Sequence, residues 1–392
     1  MNQRLNVALV SVGLGRVQRG FERWVSDLYD CFSACPEVDL AVFRSRGPCP
    51  WRHSVPKCLW PLTRLLRLLP PWPFSGSTQY KRDALAFALC LVAPLRQRHF
   101  DVIHVVDPPL AAALCTVRRV CPFPGKVLFT DGAAIPPQLY PPADHFHQVS
   151  PVAHARALAV GIPASRQTLI PAGVRAEEFL PAADRSALRV SHGIRPDTFV
   201  IAAVSALKRE HKRLDYVIRE VARLQGDVLL WIDGNPEDSE IPRLASQLLG
   251  QRMRITHLPS TKIRELYQLA DVFVHAALEE AFGLAILEAA CCGLPALIHD
   301  NLHFRWLLGD QAWRLDMSRE GALSAVLYTM ATHRQQVRER ALRNSASIRA
   351  RYAWQSLAKD YLTMYRKVAR LSKKAHLAAE PHTLASGRGN HA

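Results

Sequence analysis

The segment Glu280-Ala281-Phe282-Gly283-Leu284-Ala285-Ile286-Leu287-Glu288 sets two carboxylates on either side of a glycine, where a loop turns into an apolar helix. Carboxylates accept hydrogen bonds from sugar hydroxyls. The backbone N–H groups of Phe282, Gly283 and Leu284, with the positive end of the helix macrodipole, favour phosphate. Glycine at 283 lets a bulky anion approach the backbone closely. Taken alone, the pair is equally compatible with a helix cap at Glu280 and a solvated helix face at Glu288. Its surroundings favour binding. Asp271-Val272-Phe273-Val274-His275-Ala276 reads as a buried strand, and Leu294-Pro295-Ala296-Leu297-Ile298-His299 as another. The pair therefore lies at the carboxyl end of the first strand of a βαβ unit, where ligands bind in open α/β sheets.

A complementary charge precedes it. Ser205-Ala206-Leu207-Lys208-Arg209-Glu210-His211-Lys212-Arg213 joins a strand to a helix and gathers four cations, Lys208, Arg209, Lys212 and Arg213. Preorganised cations there suit a diphosphate leaving group, and a solvated basic turn is the competing reading. Gly13-Leu14-Gly15-Arg16-Val17-Gln18-Arg19-Gly20 follows the first strand but is not the dinucleotide fingerprint, because Gln18 stands where a third glycine would. Arg19-Gly20 still pairs a cation with an approachable backbone. His104, on a buried strand, reads as a satisfied core histidine. Asp131-Gly132 reads first as a turn. Asp144, His145 and His147 lie close together, with no further ligand at a usual metal spacing.

With 392 residues, 49% of them hydrophobic, the chain can bury two cores. The net charge of +16 is concentrated. Residues 44–98 hold ten Lys/Arg against Asp83, or +9, and residues 334–374 hold twelve against Glu339 and Asp360, or +10. In 44–98 the cations alternate with Trp51, Trp60, Leu65, Leu66, Trp72 and Phe74, a mixture suited to an anionic membrane surface or to an amphipathic helix packed internally. No nucleic-acid motif accompanies it. The longest apolar run, Ala84 to Leu95, contains Pro94 and is too short to span a bilayer. Nine scattered cysteines without a Cys-x-x-Cys pair point to a reducing cytosol.

The elements that must position these groups alternate in type. Strands are expected at Val7–Val12, Val38–Phe43, Val102–Val106, Lys126–Thr130, Phe199–Val204, Val228–Ile232, Met253–His257, Val272–His275 and Ala296–His299. Helices are expected at Gln18–Phe32, Tyr80–Leu95, Leu110–Val120, Leu214–Leu224, Glu240–Leu249, Ile263–Leu269, Leu284–Cys291 and from about Arg319 to Lys367. Both periodicities lapse from about Pro171 to Pro196, which reads as the linker.

Glu280-Ala281-Phe282-Gly283 followed by Glu288-Ala289-Ala290-Cys291-Cys292-Gly293-Leu294-Pro295 resembles the motif of the family-4 retaining glycosyltransferases. The resemblance implies the GT-B arrangement: two Rossmann-like α/β domains face each other across a cleft, and the C-terminal helix crosses back to the first. Residues 1–180 would form the acceptor domain and 181–370 the nucleotide-sugar donor domain, with 371–392 a disordered tail. It implies catalytic roles for Glu280, Lys212 and Arg209, and donor contacts from Lys208, Phe282, Gly283, Leu284 and Glu288. Gly13, Gly15, Arg19, Gly20 and Asp131 would line the N-terminal side of the cleft. Lys212 fits the family's lysine. Ala206 stands at its arginine position, so Lys208 or Arg209 would supply the second cation, and Asp131 stands where many members have a cleft histidine. Leu169-Ile170-Pro171-Ala172-Gly173-Val174 resembles a structural segment of the family.

The function implied is transfer of a hexose-type sugar from a nucleotide diphosphate to a hydroxyl on a glycan or lipid-linked glycan. No metal or other cofactor is expected, no nucleic acid takes part, and the setting would be cytoplasmic, peripheral to the inner membrane face. A sugar-nucleotide epimerase of related fold and a membrane-associated, non-catalytic sugar-nucleotide-binding protein are the alternatives. A glycoside hydrolase, with its carboxylates across a scissile bond, fits the helical spacing less well.

Overall fold

The computed structural model describes residues 4–14, 20–45, 79–132 and 134–377, with side chains as far as Leu371. Gly15, Arg19, most of the basic aromatic segment 44–98 and the tail 378–392 lie outside the described residues.

Two parallel six-stranded sheets carry the fold. In the first, β1 (Leu5–Ser11), β2 (Val38–Arg44), β3 (Val102–Val105), β4 (Lys126–Thr130), β5 (His145–Gln148) and β6 (Gln167–Leu169) lie in the order β2-β1-β3-β4-β5-β6. In the second, β7 (Phe199–Val204), β8 (Val228–Asp233), β9 (Met253–Thr256), β10 (Val272–His275), β11 (Ala296–His299) and β12 (Trp313–Leu315) lie in the order β12-β11-β10-β7-β8-β9. Runs such as Val7 to Val10 and Val272 to Val274 are buried along their whole length, as strands covered on both faces by helices must be. Each sheet winds outward, then returns to the far side of its own first strand. This puts a switch point between β1 and β3 and another between β7 and β10.

The helix Trp354–Leu377 crosses from the second sheet to the first. Tyr361, Tyr365 and Val368, one helical face, are fully buried. The polar tip of Tyr365 enters a hydrogen-bonded line whose direction is fixed. The Ile170 carbonyl only accepts, so His147 Nε2 carries the hydrogen (2.9 Å) and its Nδ1 accepts from the Thr130 hydroxyl (2.9 Å). Thr130 oxygen then accepts from His104 Nε2 (2.7 Å), leaving His104 Nδ1 to accept from Tyr365 (2.9 Å). His104 is thus the satisfied core histidine expected. Tyr361 donates to the Pro171 carbonyl (3.0 Å), Val174 pairs with Ala353, and a β-carbon at Gly173 would lie 2.4 Å from the Trp354 ring. The 169–174 segment is therefore where the returning helix is seated.

Three strands were not expected from the sequence. β5 reads as polar, yet is buried because His145, His147 and Gln148 all find partners, His145 on Thr168 and Gln148 on Gln167. β6 and β12, three residues each, are too short for periodicity to register. The expected linker 171–196 contains a helix, Arg185–Ser191, capped by Asp184. It is fixed by ion pairs from Arg185 (2.6 Å) and Arg189 (2.7 Å) to Asp271 rather than by an apolar stripe. The last helix continues past Leu371 to Leu377.

Burial lowers His147 to about 4, against the opposing hydrogen bond to Ile170, and holds His104 well below the ordinary 6.5. The unfolded chain binds protons that these rings refuse, so stability falls as pH drops from about 6.5 towards about 4. Urea unfolding followed across this window should lose up to about 1.4 kcal/mol per pH unit per histidine. The His147→Gln variant should show a flatter dependence, and an unchanged slope would mean that His147 does not carry it.

Candidate functional site

β10 pairs with β7 in parallel, Val272 opposite Ile201 and Phe273 opposite Ala202. The loops leaving the carboxyl ends of both strands therefore open side by side. The loop after β7 is anchored to the one after β8: Leu207 N–H donates to the Asn235 carbonyl (2.8 Å), and Lys208 pairs with Glu237 (2.5 Å). His211 and Arg213 both have positive φ, 63° and 52°, so Lys212 sits between two left-handed residues. Such strain costs on the order of 1 kcal/mol per residue and persists where the surroundings enforce it. Arg213 is itself engaged, donating to the Met317 carbonyl (3.0 Å) and lying over the Tyr216 ring. The loop after β10 is held from behind. Asn301 donates to the Leu278 carbonyl (2.7 Å) and His303 to the Phe282 carbonyl (2.8 Å).

Between these loops the Lys212 ammonium lies 2.6 Å from Glu280 Oε2, which also accepts from His275 Nε2 at 2.9 Å. His211 Nε2 is 3.9 Å from Glu280 Oε1. Burial pushes the Glu280 carboxyl up. The neighbouring His211 and the hydrogen bond from His275, with the charge of Lys212, overcome this and hold it well below the usual carboxylate range. Burial lowers His275, against the pull of Glu280, so a neutral ring faces an ionised carboxylate. Oε1 is the oxygen left with capacity to accept from a ligand hydroxyl.

Phe282 is buried against the rings of His303, Trp306 and Tyr352, so only its backbone is available to a ligand. Gly283, at φ 99°, starts the helix Leu284–Cys291. Among the described residues no acceptor takes the N–H groups of Gly283 or Leu284. The far end of this helix is capped by Arg349, which donates to the Cys291 carbonyl (2.6 Å). Gly20, the first residue of the helix Gly20–Ser33, faces Leu284 across the cleft. Two helix N-termini thus meet at Leu284, four residues after Glu280.

Glu288 is more enclosed than its spacing suggests. Tyr267 donates to Oε2 (3.0 Å), and Arg23, from the helix Gly20–Ser33, lies 3.4 Å from Oε1. Burial raises its carboxyl despite Arg23. Arg23 also stacks over Phe179 and reaches Asp27 and Glu178, which join Arg175 in one ion network between the sheets.

Asp131 accepts from Tyr140 (3.4 Å) and lines an open pocket with Gln148 and Arg156 on one wall and Glu280 and His303 on the other. A β-carbon at Gly132 would lie 2.5 Å from the Phe21 ring, and one at Gly13 would collide with the Glu22 carboxylate. Arg156 bridges the pocket rim to Glu279 (3.0 Å). Of the residues singled out in the sequence, Glu280, Lys212, Gly283, Leu284, Gly20 and Asp131 come together. Lys208 turns to Glu237, Arg209 is exposed to solvent, and Gly13 packs on Glu22. His275, Arg23, Tyr267 and Glu237 were not found. His275 alone left a trace, as a polar residue ending an apolar strand.

Among the described residues no group of three His, Cys, Asp or Glu could hold a metal ion, and no helix is long and apolar enough to cross a membrane. Asp144 is taken up by Arg118 (2.8 Å) and Lys126 (3.8 Å).

Residues 184–315 match the family model described as "Glycosyl transferases group 1", a span that contains Lys212, Glu280 and Glu288. The chain is 26% identical over 241 residues to the alpha-galactosylglucosyldiacylglycerol synthase of Streptococcus pneumoniae, covering 59% of this chain and 63% of that protein. It is 33% identical over 141 residues to the D-inositol 3-phosphate glycosyltransferase of Mycobacterium marinum, covering 34% and 30%. The chain thus spans less than two thirds of the length of these curated relatives.

Among solved structures, sucrose-phosphate synthase from Thermosynechococcus elongatus superposes with a TM-score of 0.78 at 18% identity, covering 94% of this chain and all (100%) of that one. Anabaena Alr3699/HepE in complex with UDP-glucose gives 0.72 at 14%, covering 95% and 100%. WaaG, a glycosyltransferase involved in lipopolysaccharide biosynthesis, gives 0.71 at 16%, covering 91% and 99%. The two sheets and the helix crossing between them are the GT-B fold.

Replacing Lys212 with Met removes one of the charges that keep Glu280 ionised. Its carboxyl should then titrate closer to the ordinary 4.5 in a carboxyl carbon NMR titration, and an unmoved value would show that Lys212 does not stabilise the anion.

Proposed function

We propose that this chain is a retaining, hexosyl-type glycosyltransferase that moves a sugar from a nucleotide diphosphate to a hydroxyl of a glycan or lipid-linked glycan, without a metal ion. The observation that carries this reading is the Lys212–Glu280 pair seated where two helix N-termini meet at the β7/β10 switch point. A cation and free backbone N–H groups suit the diphosphate, and an ionised carboxylate with one oxygen open suits a sugar hydroxyl. The names of the relatives, and a structural neighbour solved with UDP-glucose, agree with it.

In the reaction the bond from the anomeric carbon to the diphosphate breaks, and a bond to the acceptor oxygen forms on the same face. The acceptor proton passes to the departing phosphate oxygen, so no side-chain base is needed. Lys212, with the exposed Arg209 of the same loop, stabilises the charge that grows on the diphosphate. Glu280 Oε1 orients the sugar. Glu288 takes a ribose hydroxyl at the oxygen it shares with Arg23, and Asp131 meets the acceptor or sugar from the opposite wall. Glu237 holds Lys208 at the edge of the diphosphate site.

A panel of nucleotide diphosphate sugars assayed by thermal shift should contain one that stabilises the protein. With that donor and a glycan acceptor, Glu280→Gln and Lys212→Ala should each lower transfer by about a hundredfold or more. Epimer formed from the donor alone, or unchanged turnover in both variants, would contradict the reading.

A further inference from the structure

Glu280 has two partners of different kinds on one oxygen. The lysine is a compact charge on a flexible stem and attracts a carboxylate without fixing its angle. The histidine is rigid. His275 is the last residue of β10, 5% exposed, with its ring stacked on Phe273 at an interplanar angle of 16° and edge-on to Phe304 at 81°. A ring enclosed in this way has one position for Nε2, 2.9 Å from Glu280 Oε2. Because an ionised carboxylate only accepts, Nε2 must carry the hydrogen. Glu280 itself stands on a loop, and productive geometry tolerates only tens of degrees of side-chain rotation.

We propose that His275 is a positioning residue: its buried Nε2–H holds Glu280 Oε2 so that Oε1 faces the pocket shared with Asp131. The proposal rests on the glycosyltransferase reading for its effect on turnover, but the hydrogen bond itself does not. Lys212 supplies charge to the pair and His275 supplies direction. A leucine at this position keeps the apolar packing on Phe273 and Phe304 and loses the donor. A glutamine places an amide N–H near the position of Nε2.

Two measurements decide it. With a nucleotide diphosphate sugar that stabilises the wild type, His275→Leu should raise the donor KM about tenfold and lower kcat, while His275→Gln recovers most of both at similar thermal stability. Equal activity in the two variants, whether high or low, would overturn the proposal. Independently of any donor, histidine nitrogen NMR of the free protein should show His275 as the Nε2–H tautomer, with its proton resonance shifted in Glu280→Ala. An Nδ1–H tautomer, or no change in that variant, would equally overturn it. Absence of any stabilising nucleotide sugar would count against the glycosyltransferase reading alone.

Discussion

The candidate site is organised around the contact between Lys212 and Glu280, and that contact depends on a reversal of strand order. After β7, β8 and β9 the chain returns to place β10 on the other side of β7. Without that return the two loops would open on opposite edges of the sheet. With it, a cation and a carboxylate 68 positions apart in sequence meet at 2.6 Å, mostly shielded from water. Each would be costly to enclose alone, and each offsets the other's loss of hydration. The backbone strain at His211 and Arg213 and the donors from Asn301 and His303 serve this meeting by fixing the two loops.

The first sheet contributes what the second lacks. Its own switch point, between β1 and β3, is tied by Asp107, which accepts from Val12 N–H (2.9 Å) and from Tyr80. From this side come Gly20, Arg23 and Asp131. One apolar cluster runs through Trp24, Val174, Tyr361 and Ile286, so the two sheets share a core along the seam where the last helix lies. The buried line from Tyr365 to Ile170 secures that seam with neutral hydrogen bonds, which impose direction without the cost of a buried charge.

Apolar strands such as β7 and β10, and the helix Leu284–Cys291 that Gly283 forces to begin where it does, were legible because burial and backbone geometry are written in residue type. β5 was not, because His145 and His147 are buried by virtue of partners on neighbouring strands that the sequence does not reveal. The helix Arg185–Ser191 was missed for the same reason, since its hold is the distant Asp271. In the site, the glutamate motif and Lys212 could be read locally. The positions of Arg23 beside Glu288 and of His275 beneath Glu280 are consequences of topology, and so appear only with the fold.

A double-mutant cycle on donor turnover, with Lys212→Met and Glu280→Gln alone and combined, reads the coupling between the two side chains. If the pair acts as one unit, the double variant should lose little more than either single variant, a coupling of about 1 kcal/mol or more. Losses that simply add, or turnover indifferent to both changes, would contradict it.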